Sequence, residues 1–295
     1  MNRLLIAALA VFCIGVSGFV RAEDKAAKKK IVFVAGKDSH GRGEHEFRAG
    51  CILLAKALNE NAPVEAVVTF DGWPKDDAIF EGASAVVIYC DGGGGHPIKQ
   101  HWPAVEALIK KGVGLGCMHY AVEIPKGEGG GDNFTKWIGG YYEDGFSINP
   151  HWTCESILAK DHPITHGVNP FKAKDEWYFN IRFPEDKKGL TSILQGTPDD
   201  EARSGKTSWP KGPRKVITDA SGQKETLLWA LERTDGGRGF GFTGGHFHNN
   251  WANDDLRKLV LNTIVWLAKI DVPEQGVPSK TPTPEEMEAN LKAKK

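Results

Sequence analysis

The chain has 295 residues, of which 40% are hydrophobic, 25% charged and 9% aromatic. Such a chain can bury a sizeable core in one large or two small domains, which excludes a wholly disordered chain, a collagen and a multi-span membrane protein. The formal net charge is −1 with no long basic run, so nucleic acid is not an expected partner.

Residues 1–22 read as a secretory signal peptide. Arg3 gives a positive start, residues 4–20 are apolar but softened by Gly15, Ser17 and Gly18, and Val20-Arg21-Ala22 offers a cleavage site. The run falls short of the roughly 20 strongly apolar residues that span a membrane, so no span is expected after cleavage; an uncleaved anchor is the alternative. The mature chain is expected to be secreted or periplasmic. Residues 23–30 form a polar lead-in.

The elements follow in order. Residues 30–35 predict a strand ending at Gly36. Phe47, Cys51, Leu54, Ala55 and Leu58 share one face of a helix. Strands are predicted over 66–70 and 85–90, the latter apolar throughout, as a strand covered on both faces would be. Trp102, Val105, Leu108 and Ile109 mark a second helix, and 113–118 a fourth strand. This is an α/β pattern with a largely parallel sheet. The middle, about 137–222, is an irregular insertion with strand-like pieces over 152–158, 176–181 and 191–194. A polar, Gly/Pro-rich excursion covers 197–214. Residues 225–231 and 238–243 then predict a late hairpin or adjacent strands. A helix closes the domain, with Asn253 as N-cap, Asp254 and Asp255 in its first turn, and Leu256, Leu259, Val260, Ile264 and Leu267 on one face. One α/β domain over 31–270 and a loosely held polar tail over 271–295, with a short solvated helix within 285–294, complete the organisation. Cys51, Cys90, Cys117 and Cys154 lack a zinc-type spacing, and three of them lie in apolar runs, which favours buried thiols.

In an open parallel sheet, ligands bind beyond the carboxyl ends of the strands. The segments after the first, third, fourth and last strands carry His40 and His45; Asp91 to Gly95 and His96; His119, Tyr120 and Glu123; and His246, His248 and Asn249. They hold six of the ten histidines, and a parallel sheet would gather them on one rim. In an extended His246-x-His248 both imidazoles would share a face. The four glycines after Asp91 read as a mobile turn, and they lack the Lys-Ser/Thr ending of a phosphate loop. Trp177 and Tyr178 read as core aromatics, or else as a platform for a sugar.

Several motifs together resemble the trehalose-utilisation (ThuA-like) family. They are Ser39-His40-Gly41 with Glu44-His45-Glu46, Gly116-Cys117-Met118-His119-Tyr120-Ala121, Trp137-Ile138-Gly139-Gly140-Tyr141-Tyr142, Asp161-His162-Pro163-Ile164-Thr165, Asp175-Glu176-Trp177-Tyr178 and Gly239-Phe240-Gly241-Phe242-Thr243-Gly244-Gly245-His246. The resemblance implies a flavodoxin-like α/β fold, similar to class I glutamine amidotransferases: an open, mostly parallel sheet with helices on both faces. It also implies a link to sugar metabolism. Those amidotransferases carry a nucleophilic Cys on a tight strand-to-helix turn. Here the matching position is His119, and Cys117 falls two residues earlier, inside the strand, so glutamine hydrolysis is not expected.

The sequence therefore predicts an exported enzyme doing acid–base chemistry on a sugar, keto-sugar or glycoside: elimination, isomerisation or hydrolysis. His119 is the expected general base, Glu123 orients or charge-balances it, and His246 and His248 act as partner acid or bind the sugar. Asp38, His45, Tyr120, Glu176, Tyr178 and Asn249 are expected to hold hydroxyls. No dinucleotide fingerprint follows the first strand, so NAD is not expected and no organic cofactor is called for. A divalent metal on His119, His246 and His248, with His45 or Glu123, is the second mechanism. A non-catalytic carbohydrate-binding protein is the alternative of a different class.

Overall fold

Ile31, Val32, Phe33, Val34 and Ala35 are all fully buried, as a strand covered on both faces requires. They belong to β1 (Lys29–Ala35) in a computed structural model that describes residues 27–127 and 129–293; the expected signal peptide lies outside the described residues. The chain continues through α1 (Phe47–Asn61), β2 (Val64–Thr69), β3 (Ala83–Tyr89), α2 (Trp102–Lys110), β4 (Gly114–Met118) and α3 (Gly130–Trp137). The middle holds β5 (His151–Glu155), β6 (Ile157–Leu158), β7 (Lys172–Glu176), β8 (Leu190–Gly196), α4 (Asp200–Arg203) and α5 (Lys215–Thr218). Last come β9 (Glu225–Glu232), β10 (Arg238–Phe242), α6 (Asp254–Leu267) and α7 (Pro284–Glu288).

Eight strands form one sheet in the order β2-β1-β3-β4-β10-β9-β8-β6. From β2 to β10 every neighbouring pair is parallel, while β9, β8 and β6 add antiparallel pairs at one side. β9 and β10 are the expected hairpin. Strand side chains alternate between faces. Ile31, Phe33 and Ala35 pack with Phe47, Leu54 and Leu58 of α1 and with Leu259 and Ile264 of α6. Val32 and Val34 pack with Val105 and Ile109 of α2 and Phe134 of α3. The helices thus cover both faces. Asn253 caps α6, its Oδ1 accepting from the Leu256 backbone N–H at 3.0 Å. Cys51, Cys90, Cys117 and Cys154 are separately buried as free thiols.

Three expectations need correction. The strand expected over 176–181 lies upstream as β7, paired antiparallel to β5 in a separate two-stranded sheet. Its buried face is Ala173 and Asp175, and a buried carboxylate hides the apolar alternation that marks a strand. The first half of the glycine run after β3, Gly92 and Gly93, is buried rather than a loose turn, while Gly94 and Gly95 face open space. A Cβ on Gly92 would stand 2.0 Å from the Tyr120 carbonyl oxygen, so this backbone packs directly on the loop after β4. The tail is also held: Val277 is buried and donates to Asn262 Oδ1 at 2.7 Å, and the Lys292 ammonium donates to the carbonyls of Ser39 and Glu44. The short helix is α7, closed by a Thr283–Glu286 capping box.

Candidate metal centre

Strands β1, β3, β4 and β10 are immediate parallel neighbours, so the loops beyond their carboxyl ends open on one rim. These loops carry His45, Asp91, His119 and His246. A fifth residue, Glu176, arrives from the end of β7. The adjacent Asp175 carboxylate docks that strand onto the loop after β10. It accepts from the backbone N–H groups of Gly245, His246 and Phe247 at 2.8, 3.0 and 3.3 Å, and from the Asn250 amide at 2.9 Å.

Four ligand-type atoms converge. His45 Nε2 lies 3.0 Å from His119 Nε2 and 3.0 Å from His246 Nδ1. Glu176 Oε2 lies 3.0 Å from His246 Nδ1 and 3.5 Å from His119 Nε2. Ligands about 2.0–2.1 Å from a shared tetrahedral ion stand roughly 3.3 Å apart, so these spacings match the edges of a coordination shell. His45 and His119 reach the point through positive φ, +48° and +54°. Left-handed backbone at a non-glycine residue costs on the order of 1 kcal/mol and persists only where the surroundings enforce it. His119 begins the tight turn after β4, where the sequence expects it. Cys117 is buried within β4, and burial pushes its thiol far up, away from a thiolate.

The outer ring nitrogens fix which way each imidazole faces. His119 Nδ1–H donates to the Thr243 carbonyl at 3.0 Å, which leaves Nε2 a bare lone pair. His45 Nδ1–H donates to Asp91 Oδ1 at 2.9 Å and to Ser39 Oγ at 3.0 Å, so its Nε2 is also a bare lone pair. The tautomers follow from these partners. Two such lone pairs 3.0 Å apart share no proton and repel unless a cation lies between them. His246 Nε2 is buried without a hydrogen-bond partner and faces Glu44 Oε1 at 3.9 Å. The carbonyl behind His119 and the carboxylate behind His45 are the outer layer that orients metal-binding histidines.

Burial, with repulsion from His40 and His246, pushes His45 down to about 2, and burial with the charge of a protonated His45 pushes His119 well down too. Both are neutral donors at physiological pH. Burial alone would lower His246, but the hydrogen bond and charge of Glu176 overcome it and raise it. Burial alone would raise Glu176, but His246 and His119 bring it down. The pair is an ion pair whose shared proton a cation must displace.

The remaining expected residues fall in three places. Tyr178 is buried, its hydroxyl 3.4 Å from His119 Nε2 and 3.3 Å from Glu176 Oε2; it braces the centre from inside. Trp177 is core, with its indole N–H on the Ala173 carbonyl, which removes both as an exposed sugar platform. Tyr120, half-buried, stands with Glu123 beside Gly93 at the rim. Asp38 is exposed, one residue from Ser39, and makes none of the contacts above. His248 does not join His246. The chain turns into a 3-10 helix at His248, so the alternation expected of an extended strand is lost. His248 and Asn249 instead line a cavity of about 290 Å³ with Arg42, Met287 and Leu291. Nor does Glu123 pair with His119; Glu176 takes that place. His96 is structural, with Nε2 on the Ala121 carbonyl at 3.0 Å. The sequence reading missed Ser39 and Asp91 behind His45, and Asp175. The dense cluster of polar types in Asp175-Glu176 was the available signal.

Glu123 has its own consequence. Burial, with Asp144 and Glu176 nearby, raises its carboxyl from 4.5 to about 7. A raised carboxyl contributes stability that is full below its ordinary value and lost as pH rises to its folded one, here between about 4.5 and 7. In chelator-treated protein, Glu123→Gln should therefore gain about 2 kcal/mol over the unaltered chain at pH 8 and almost nothing at pH 4. Urea melts at the two pH values check this; an equal difference at both would exclude titration as the cause.

The model of the family described as "ThuA: Trehalose utilisation" matches residues 31–267. The chain belongs to the ThuA family. That description ties it to carbohydrate metabolism. A crystal structure of a ThuA-like protein from Bacteroides uniformis superposes at a TM-score of 0.60 with 16% identity, covering 88% of this chain and 98% of that one. A second, from Parabacteroides merdae, gives 0.53 with 18% identity, covering 86% and 93%. These likenesses show the fold. No curated protein matches significantly. Among the described residues of this ThuA-family chain, no helix is long and apolar enough to cross a membrane.

Proposed function

We propose that this ThuA-family chain is an exported, metal-dependent enzyme acting on a sugar, keto-sugar or glycoside. One observation carries the reading: the inward nitrogens of three buried imidazoles and one carboxylate oxygen meet at a single point. His45, His119, His246 and Glu176 would hold a divalent transition ion. Three imidazoles with one carboxylate suit zinc, manganese, iron, cobalt or nickel. Such an ion would supply Lewis acidity to a carbonyl, hydroxyl or water oxygen.

The protein's own groups do the rest. Asp91 and Thr243 keep the outer protons of His45 and His119 in place, and so keep their inner nitrogens basic. Tyr178 and Glu176 share the inner wall. Exposed His40 and His151 and half-buried Asp91 stand at the mouth, able to accept or donate hydrogen bonds to hydroxyls. Glu123, titrating at about 7, can pass a proton near neutral pH. His119 as a free general base fits less well: it is fully buried, and its charged form is strongly disfavoured.

The test is to load purified protein with zinc, manganese or cobalt and incubate it with a panel of disaccharides and their 3-keto forms. Mass spectrometry should show loss or gain of water or a released monosaccharide, absent after chelation. No change across the panel with metal-loaded protein would leave a non-catalytic carbohydrate-binding role as the better reading.

A further inference from the structure

The excursion over 197–214 plays no part in the centre just described, yet it is tied to it. Its chain closes on itself, with the Ser208 and Gly212 backbone N–H groups donating to the Gly205 carbonyl at 3.2 and 3.1 Å. Arg214 donates to the Ser147 carbonyl, and the Trp209 backbone N–H donates to Asn149 Oδ1 at 2.9 Å. The other end of the same Asn149 amide donates to Glu176 Oε1 at 3.0 Å. Two hydrogen bonds through one side chain therefore link Trp209 to the carboxylate whose second oxygen faces the three imidazoles.

Trp209 stands alone among the nine tryptophans in being exposed, with 78% of its surface accessible. An indole in water contributes nothing to the core and is unfavourable for solubility. Here it sits on a loop pinned at both flanks, so its position is held rather than free. An indole reaches about 6 Å from its backbone and offers a flat apolar face of the kind that covers the C–H side of a pyranose ring. Asn149, which accepts from the Trp209 backbone, and His151, whose Nε2 lies 4.0 Å from the same Glu176 Oε1 that Asn149 reaches, offer polar groups for the ring's hydroxyls.

We propose that Trp209 is the stacking platform for a pyranose of the substrate, set by Asn149 at the mouth of the His45–His119–His246–Glu176 centre. The sequence offers that role to Trp177 and Tyr178 only as the alternative to core aromatics, and they are core. The proposal rests on the carbohydrate reading of the centre and names the residue that selects for a sugar ring.

Calorimetric titration of trehalose, sucrose, maltose and glucose into cobalt-loaded protein tests it. Trp209→Ala should weaken the tightest-binding sugar at least tenfold. Trp209→Phe, which keeps an aromatic face, should stay within about threefold, and cobalt content should be unchanged in both. A Trp209→Ala protein that binds as tightly as the unaltered chain overturns the platform and leaves the metal centre standing. Cobalt-loaded unaltered protein that binds none of the four sugars overturns the platform together with the carbohydrate reading. Loss of cobalt in Trp209→Ala would make the residue structural and likewise overturn the proposal.

Discussion

His119→Ala protein should take up no stoichiometric divalent metal under conditions where the unaltered chain binds one ion, and any metal-dependent turnover should vanish with it. The centre offers four donors, and the three imidazoles supply all its nitrogen. His45→Ala and His246→Ala should behave alike, because each removes one corner of the same shell. Asp91→Asn keeps the ligands but alters the acceptor behind His45, and a lesion of that kind costs about 10–100-fold in affinity. His248→Ala should leave metal content intact, since His248 lines a different cavity. Metal at a hundredfold excess over its dissociation constant adds about 2.7 kcal/mol, worth roughly 5 °C in a chain of this size, so chelation should lower the melting temperature of the unaltered protein and not that of His119→Ala. Uptake must also expel the proton held by the His246–Glu176 pair, so affinity should fall as pH drops below the raised His246 value. Elemental analysis and melting curves with and without chelator check these results. Equal metal content in all three ligand variants would remove the centre from consideration.

The rim was readable because its signals are local. β1, β3 and β4 are short apolar runs, each followed at once by unusual polar residues, and a parallel sheet leaves one place for such residues to meet. His119 was identified by its position on the turn after β4, and its positive φ agrees with a tight turn there. Two assignments failed for long-range reasons. His248 was paired with His246 on the assumption of an extended chain, but the backbone coils one residue after Phe247 to enter α6. Glu123, on the same turn, is the partner the sequence expects for His119. The carboxylate that reaches His119 comes instead from Glu176, on a small separate sheet whose docking depends on tertiary contacts that no periodicity encodes. The same blindness explains the tail. A Pro, Glu and Lys-rich segment gives no apolar pattern, yet Lys292 finds the carbonyls of Ser39 and Glu44, on the loop that carries His45.

That docking makes Asp175 the residue whose loss should cost the most stability. Its carboxylate is fully buried and accepts from three consecutive backbone N–H groups, those of Gly245, His246 and Phe247, and from Asn250. Asp175→Ala would strand these donors in a space that the methyl group does not fill. Each buried donor left without a partner costs about 1–3 kcal/mol, and water entering the gap would recover part of that. A net loss of about 3–5 kcal/mol follows, comparable with breaking a buried charged contact. Asp175→Asn retains one accepting oxygen but turns an NH₂ group toward a donor, so its loss should be intermediate. The His246 loop would no longer be fixed against β7, so the protein that still folds should also bind metal more weakly. Urea denaturation gives the first quantity and metal titration the second. A loss below about 1 kcal/mol in Asp175→Ala would mean that the loop after β10 holds its own shape, and that Glu176 is brought to the imidazoles by contacts other than this carboxylate.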